Sequence, residues 1–583
     1  MLKDHPKGLF VLAFANMGER FGYYTMLAIF TLYLQARYGW TSAATGQMFG
    51  IFLAAVYFLP VLGGFVADKY FGYGKTITLG TVIMFLGYAL LAFGSGLAVM
   101  ITSLALIAIG TGFFKGNLQV LIGNLYDTPK YSKNRDLAFS IFYMCINIGA
   151  FFAPSMANQI TESLMNKAHF TYNGEIPALA HQLQSGALTE GSAGYEKLVS
   201  LAAEQNVTIT DFESLRAFAT HYIDVLSGSY QWGFGVACIS LIVSLAIFLG
   251  FRKYYKSADA TEKEKAQGKG AKDAIIVELT KEQTRERLIA LGLVFAVVIF
   301  FWMSFHQNGL TMTFFARDYT ATEVSGPTNL LFSLLGLVPF ILFFYGLYIL
   351  LTGEKKMKPV GGIMAVVFAI VLFFVYQSKF ISPTGEEVTT AITPQIFQQF
   401  NPMFIIILTP VFVGLFKWLN SKKMEPSAPR KIGIGMIIAA IGFMVLLIGS
   451  MGLTAPSDLT TNPLTAEERV SPYWLINTYL VLTCAELFLS PMGISFVSKV
   501  APPKYKGLMQ GGWFAATAIG NYLVGIIGYF WEEVSLTALW GILIGCCALS
   551  AIFIFSIMGR LEKVTRESEE QLAAAEAAAK ENN

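Results

Sequence analysis

The sequence predicts an all-α integral membrane protein with fourteen transmembrane helices. Three observations lead there. Of 583 residues, 55% are hydrophobic and only 14% are charged, against about 25% charged in soluble globular domains. Apolar runs of roughly 20 residues or more recur along the chain, and each can cross a hydrocarbon layer about 30 Å thick as a helix. Lysine and arginine collect in alternate loops, a pattern that sets topology. Segments of about 10 alternating residues, which a membrane barrel would need, are absent. Backbone groups left unpaired in lipid are costly, so each run reads as a helix.

The spans fall near 9–35, 45–67, 76–96, 99–125, 137–158, 229–251, 288–315, 328–352, 360–378, 401–420, 432–453, 472–498, 507–531 and 536–559. An even number puts both termini on one side. The cation-rich loops hold Lys69 and Lys75; Lys130, Lys133 and Arg135; the charged run 252–273; the turn "EKKMK" at 354–358; and clusters at 422–431 and 504–506. The opposite loops are poor in cations, and the longest, 160–228, has Lys167, Lys197 and Arg216 against eight acids. Both termini are therefore expected in the cytoplasm, with the protein in the cytoplasmic (inner) membrane. The chain divides into a six-helix bundle over 1–251, a cytoplasmic linker over 252–287, a C-terminal bundle over 288–560 and a tail over 561–583. The 160–228 loop is long enough to hold short helices of its own.

The first span carries "NMGERFGYYTM" at 16–26. As a helix, Asn16, Glu19, Arg20, Tyr23 and Tyr24 stand at i, i+3, i+4, i+7 and i+8 and share one face. A charge at mid-bilayer costs on the order of 3 kcal/mol even on a lenient scale, so this face meets protein or water. One reading is a pair that locks two helices together. The tyrosines below it favour the lining of a site. The fourth span holds Lys115 in "IGTGFFKGNLQV"; the fifth, Asn147 in "FYMCINIGAF"; the seventh, His306 in "FWMSFHQNG"; the twelfth, Glu486 with Ser490 one turn on. Ionisable groups from both halves suggest one water-accessible cavity near the midplane, as in secondary transporters. No phosphate-binding loop, HExxH or GxSxG elbow is present, so neither an enzyme nor a nucleotide-driven pump is expected. No cofactor, metal or nucleic acid is implied. The five cysteines all lie in apolar runs and read as buried thiols.

"GGFVADKYFGYGK" at 63–75 resembles the loop 2–3 signature of the major facilitator superfamily, with Asp68, Lys69 and Lys75 as gate residues. "NMGERFGYY" resembles the ExxERFxYY motif of the proton-dependent oligopeptide transporter family. The stretches around Lys115, Asn147, His306, Asn401 and Glu486 are similar to that family's signatures in the same order. The resemblance implies two six-helix bundles and uptake of di- and tripeptides with protons. It places the peptide carboxylate at Arg20 and Lys115. The ammonium goes to Glu486, with Asn147, Asn401 and Ser490 nearby. Tyr23, Tyr24, Tyr57 and Trp513 would line side-chain pockets, and Glu19, His306 and Glu486 would carry protons. The sequence departs from the family pattern at Asn16, where the motif has Glu; at His306, where it has an acid; and at Gly116, where it has Pro. The surplus helix pair, 328–378, falls between core helices seven and eight and is expected to pack outside both bundles. A facilitator of peptides, other small anions or drug-like solutes without proton coupling is the alternative, and a non-transporting peptide receptor a further one. Oligomeric state is not legible, and a monomer is favoured.

Overall fold

The computed structural model describes residues 5–126, 131, 134–259, 279–459, 464–502 and 505–581. Lys130, Lys133 and the middle of the 252–287 linker lie outside them. The described residues are almost entirely helical. In chain order the helices are α1 (Lys7–Tyr38), α2 (Ser42–Val66), α3 (Tyr73–Phe93), α4 (Leu97–Leu125), α5 (Arg135–Lys167), α6 (Ile176–Gln184), α7 (Ala193–Glu204), α8 (Phe212–Gly250), α9 (Lys281–Phe305), α10 (Thr311–Asp318), α11 (Leu334–Thr352), α12 (Lys358–Lys379), α13 (Phe400–Ser421), α14 (Ala428–Gly449), α15 (Tyr473–Val500), α16 (Lys506–Tyr529), α17 (Leu536–Ser556) and α18 (Met558–Glu581). Twelve candidate spans among the described residues are long and apolar enough to cross a membrane by composition alone. To these the fold adds α1 and α16. Helix α1 is 32 residues long and falls short in apolarity because it carries the polar stripe.

Helices α1–α5 and α8 form one bundle, with α1 against α5 and α8 and α3 against α4. Helices α9, α10 and α13–α17 form the second, with α14 against α15 and α17. The halves meet chiefly where α2 lies along α16 and α5 along the start of α13. Glycine permits the first contact: a Cβ on Gly50 would sit 2.9 Å from the Tyr522 carbonyl, and one on Gly525 2.5 Å from that of Gly46. Small residues let membrane helices approach this closely.

The 160–228 segment is largely helical. Helix α5 runs on to Lys167 and α8 begins at Phe212, so both project beyond the bilayer, and α6 and α7 form a cap between them. Apolar runs undercount such helices, because the projecting turns hold Arg216, His221 and Asp224 around a buried stripe of Leu215, Phe218 and Tyr222. The cap clasps α1: His181 Nε2 lies 2.8 Å from the Ala36 carbonyl.

At this end the two halves are tied together. Ser155 donates to Gln399 at 2.5 Å, Thr393 to Asn158, and Thr31 to the Gly309 carbonyl at 3.3 Å. Arg317 reaches Gln35. Arg469, whose side chain is 8% exposed, pairs with Glu175 at 2.9 Å and is held by the Arg317 and Thr320 carbonyls at 3.0 and 3.2 Å. Lys197 adds a second cation 3.4 Å from Glu175. Among the described residues this is the only ion pair between the halves. The cap end is thus shut by hydrogen bonds and an ion pair between the halves, and Tyr143–Glu486 adds a bond at mid-depth.

The surplus helices α11 and α12 form a hairpin at the edge of the second bundle. Gly346 and Gly361 press together in it: a Cβ on Gly346 would meet the Ala365 nitrogen at 2.6 Å. Only Gly361 and Ala365 of α12 are buried. The hairpin also mends a defect in α13. Pro410 has no N–H to offer the Ile406 carbonyl, and Tyr345 of α11 donates its hydroxyl there at 3.0 Å, while Tyr348 bonds the Pro410 carbonyl at 3.0 Å. The tail, marginal as an isolated helix, is docked as α18 by Arg560–Glu286, Lys499–Glu569 and Arg430–Glu562.

Removing the ion pair that spans the halves should loosen the cap end. Glu175→Gln is expected to speed maleimide labelling of a Thr31→Cys reporter, in a background without native cysteines, about two- to fivefold. That is the effect of a pair worth up to about 1 kcal/mol. Lys197→Gln, which leaves the Arg469 pair in place, should keep the slow rate. Equal rates in all three proteins would mean that the pair does not hold this end shut.

Candidate functional site

Three polar clusters form at mid-depth where the bundles face each other. The first lies in α1. Arg20 donates to both carboxylate oxygens of Glu19 at 2.5 Å, and the two side chains are 4% and 1% exposed. The guanidinium lies 4.7 Å from the Tyr23 ring centre, and Tyr24 meets Tyr23 edge-on at 5.3 Å. The polar face expected from helical spacing is therefore turned into protein. Asn16, one turn earlier, is buried, and its amide nitrogen has no hydrogen-bond partner among the described residues.

The second cluster crosses from one half to the other. Lys115 of α4 holds its ammonium 3.8 Å from the centre of the Tyr57 ring on α2. It takes part in no ion pair among the described residues, so it is balanced by a ring face rather than by a carboxylate. Tyr57 in turn lies 5.8 Å from the imidazole of His306. His306 stacks on Trp302 at 5.0 Å, and its Nδ1 sits 2.5 Å from Oδ1 of Asn521 on α16. The span carrying His306 is not one continuous helix. It breaks into a 3-10 turn at His306–Gly309 before α10 resumes. The "HQNG" run accounts for this, since Asn and Gly favour turns over helix interiors. The freed Asn308 carbonyl accepts from Tyr479 at 3.2 Å.

The third cluster surrounds Glu486 of α15. Asn401, at the start of α13, donates to it at 3.0 Å, and the same amide reaches Thr483 at 3.0 Å. Tyr143 of α5 donates its hydroxyl from the other half at 3.2 Å. Glu486 is thus held by neutral donors and faces no cation within ion-pair distance among the described residues.

Other expected site residues lie apart from these contacts. Asn147 donates to its own helix, at the Tyr143 carbonyl 2.9 Å away. Ser490 is half-buried one turn beyond Glu486. Trp513 stands edge-on to Phe295 at 6.4 Å, seated against Gly493, where a Cβ would fall 1.8 Å from the indole. Asp68 and Lys69 occupy a π-helical turn, Ala67–Phe71, that closes α2. Asp68 pairs with neither Lys69 nor Lys75. It accepts instead from the Tyr73 hydroxyl at 2.5 Å. The start of α3 is held by Asp259, which accepts from Gly74 N at 2.9 Å. A Cβ on Gly74 would be 2.4 Å from that carboxylate, so a side chain there would push Asp259 aside.

Sequence reasoning missed Tyr143, Thr483 and Asn521. Tyr143 stands one turn before Asn147 and Asn521 two turns after Trp513, so helical spacing from residues already chosen points to both. An acid and a cation unpaired with each other, on opposite halves and among tyrosines, can bind a small molecule with a charge at each end.

Comparison with known proteins bears on this arrangement. A sequence profile described as the POT family matches residues 74–269 and 373–539, stopping before α9 and resuming within α12. The peptide transporter YePEPT of Yersinia enterocolitica is 25% identical over 541 residues, covering 90% of this chain and 88% of that protein. An uncharacterized transporter of Bacillus subtilis, YclF, is 27% identical over 532 residues, covering 90% and 88%. A peptide transporter POT solved with alafosfalin superposes with a TM-score of 0.64 at 22% identity, covering 96% of each chain.

The Glu19–Arg20 pair is the most buried ion pair among the described residues, and removing one partner of such a pair costs about 3–5 kcal/mol. Glu19→Gln should lower the thermal midpoint of the detergent-solubilised protein, and Glu19→Gln with Arg20→Gln should recover most of the loss. A double variant no more stable than the single one would show that the two charges do not depend on each other.

Proposed function

Because this chain belongs to the POT family, whose members are multi-pass membrane transporters and not enzymes, we propose that it carries di- and tripeptides together with protons into the cell. Lys115 and Glu486 are the observation on which this reading rests. One is a cation and the other an acid, on opposite halves, and each is held by tyrosine or amide groups rather than by a counter-ion. A zwitterionic peptide supplies both missing charges. Its carboxylate would sit at Lys115 and draw Arg20 away from Glu19. Its ammonium would sit at Glu486, with Asn401, Asn147 and Ser490 around it. Tyr23, Tyr24, Tyr57 and Trp513 would bound the side-chain pockets. The protein would lie in the cytoplasmic membrane with both termini inside, the α6–α7 cap outside, and Asp68, Lys69 and Lys75 at the inner gate. A monomer suffices, since both halves of the site are on one chain.

In this scheme proton movement belongs to Glu19, Glu486 and His306 as one coupled titration. A peptide carboxylate that displaces Glu19 from Arg20 leaves that acid free to take a proton. A histidine changes charge near neutral pH, and His306 borders Tyr57 and hence Lys115. Two observations favour a second reading, proton-independent facilitation: Asn16 cannot titrate, and His306 is bonded to a neutral amide.

Two measurements test the proposal. Amidating the C-terminus or acetylating the N-terminus of a good dipeptide should weaken binding about tenfold or more, because charge-assisted hydrogen bonds are worth roughly 1.5–3 kcal/mol each. Glu486→Gln should harm free peptides more than acetylated ones. Blocked and free peptides binding equally would remove the zwitterion model.

The second measurement is uptake of labelled dialanine by proteoliposomes under an inward proton gradient. Accumulation above equilibrium is expected, and its absence in the wild type establishes facilitation. Accumulation by His306→Ala with an unchanged pH profile would leave coupling to the two glutamates.

A further inference from the structure

The surplus hairpin has no part in the peptide site, and its inner end presents an unusual surface. Lys355 and Lys356 lie in the turn between α11 and α12, and Lys358 opens α12. Lys417, Lys422 and Lys423 lie at the end of α13. All six are exposed, and none takes part in an ion pair among the described residues.

The two groups lie at one level. Helices α11 and α13 descend side by side, registered by the bonds of Tyr345 to the Ile406 carbonyl and Tyr348 to the Pro410 carbonyl. Beyond Tyr348, α11 runs four more residues to Thr352 before the turn that holds Lys355 and Lys356, and Lys417 stands seven residues beyond Pro410 on α13, so both groups lie past these bonds on the same side.

The acids that could neutralise the group are engaged elsewhere. Glu425 accepts from Lys431 at 2.5 Å and from Asn420 at 2.7 Å. The Lys431 bond holds its carboxyl below its ordinary range. Glu562 is taken by Arg430 and Ser427. Glu354 alone remains in the turn.

The apolar residues around the patch face outward. Leu351 and Met424 are each 66% exposed, and Trp418 is 55% exposed, the placing of an aromatic side chain at a membrane interface.

We propose that this patch binds the headgroups of anionic phospholipids in the inner leaflet, making the hairpin a lipid-held outrigger on α13. Six cations just outside the hydrocarbon, beside lipid-facing helices, have the chemistry that draws phosphodiester headgroups. The assignment to the inner leaflet rests on the orientation proposed above. The binding does not, because in a nanodisc both faces meet the same lipids.

The test uses the full-length protein in mixed nanodiscs of phosphatidylglycerol and phosphatidylcholine, with co-purified lipid counted by native mass spectrometry after detergent extraction. The wild type should retain phosphatidylglycerol over phosphatidylcholine. Lys355→Gln, Lys356→Gln, Lys422→Gln and Lys423→Gln combined should reduce that preference about tenfold. A control with the same loss of charge, Lys253→Gln, Lys256→Gln, Lys281→Gln and Arg285→Gln, should keep it. Unchanged thermal midpoints in phosphatidylcholine confirm that both variants fold. An unchanged preference in the patch variant, or an equal loss in the control, would overturn the proposal. The orientation is checked separately by sided labelling of a cysteine in the 354–358 turn, and its failure would leave the lipid site standing but move it to the outer leaflet.

Discussion

The cost of an unpaired charge in a low-dielectric interior governs this molecule. Glu19 and Arg20 are neighbours in sequence on a helix inside the bilayer, and their bidentate contact lets α1 sit in the core of the first bundle. Without it, α1 would bury two uncompensated ions. With it, the helix can carry a strong cation at mid-depth in a neutralised form. The pair is neutral as a whole, and parting it would leave each group buried without its counter-ion.

Lys115 and Glu486 obey the same constraint differently. Neither has a counter-ion within reach among the described residues, yet neither is bare. A tyrosine ring faces the ammonium, and amide and phenol donors hold the carboxylate. Such partners stabilise a charge less than an ion of opposite sign would. Tyr57 and Tyr143 matter for a further reason: each reaches across to the other half, so relative motion of the bundles changes the surroundings of both ions together.

Closure at the cap end follows from the same accounting outside the membrane. Arg469 is nearly buried and satisfied by two carbonyls and Glu175, so parting the halves there must rehydrate it. The cap is joined to α1 through His181 and to the second half through Glu175 and Arg469. The hairpin serves another need, supplying hydroxyls to a proline-broken α13 whose first turn carries Asn401.

The sequence by itself determined the helical class, the number of spans and the polar face of α1, because exclusion of charge from lipid writes itself directly into composition and spacing. It also singled out Lys115, His306 and Glu486, since an ionisable residue in an apolar run is conspicuous without any coordinates. Tertiary structure decided what those residues touch. That Arg20 is spent on Glu19 while Lys115 meets the ring of Tyr57 depends on side-chain rotamers and on the approach of another helix. Asp68 answers to Tyr73, and Asp259 rather than a lysine secures α3, because a loop 185 residues away folds back onto Gly74. The clasp of the cap on α1 also lay beyond the sequence, because it depends on a group distant in the chain, the His181 ring, reaching the Ala36 carbonyl.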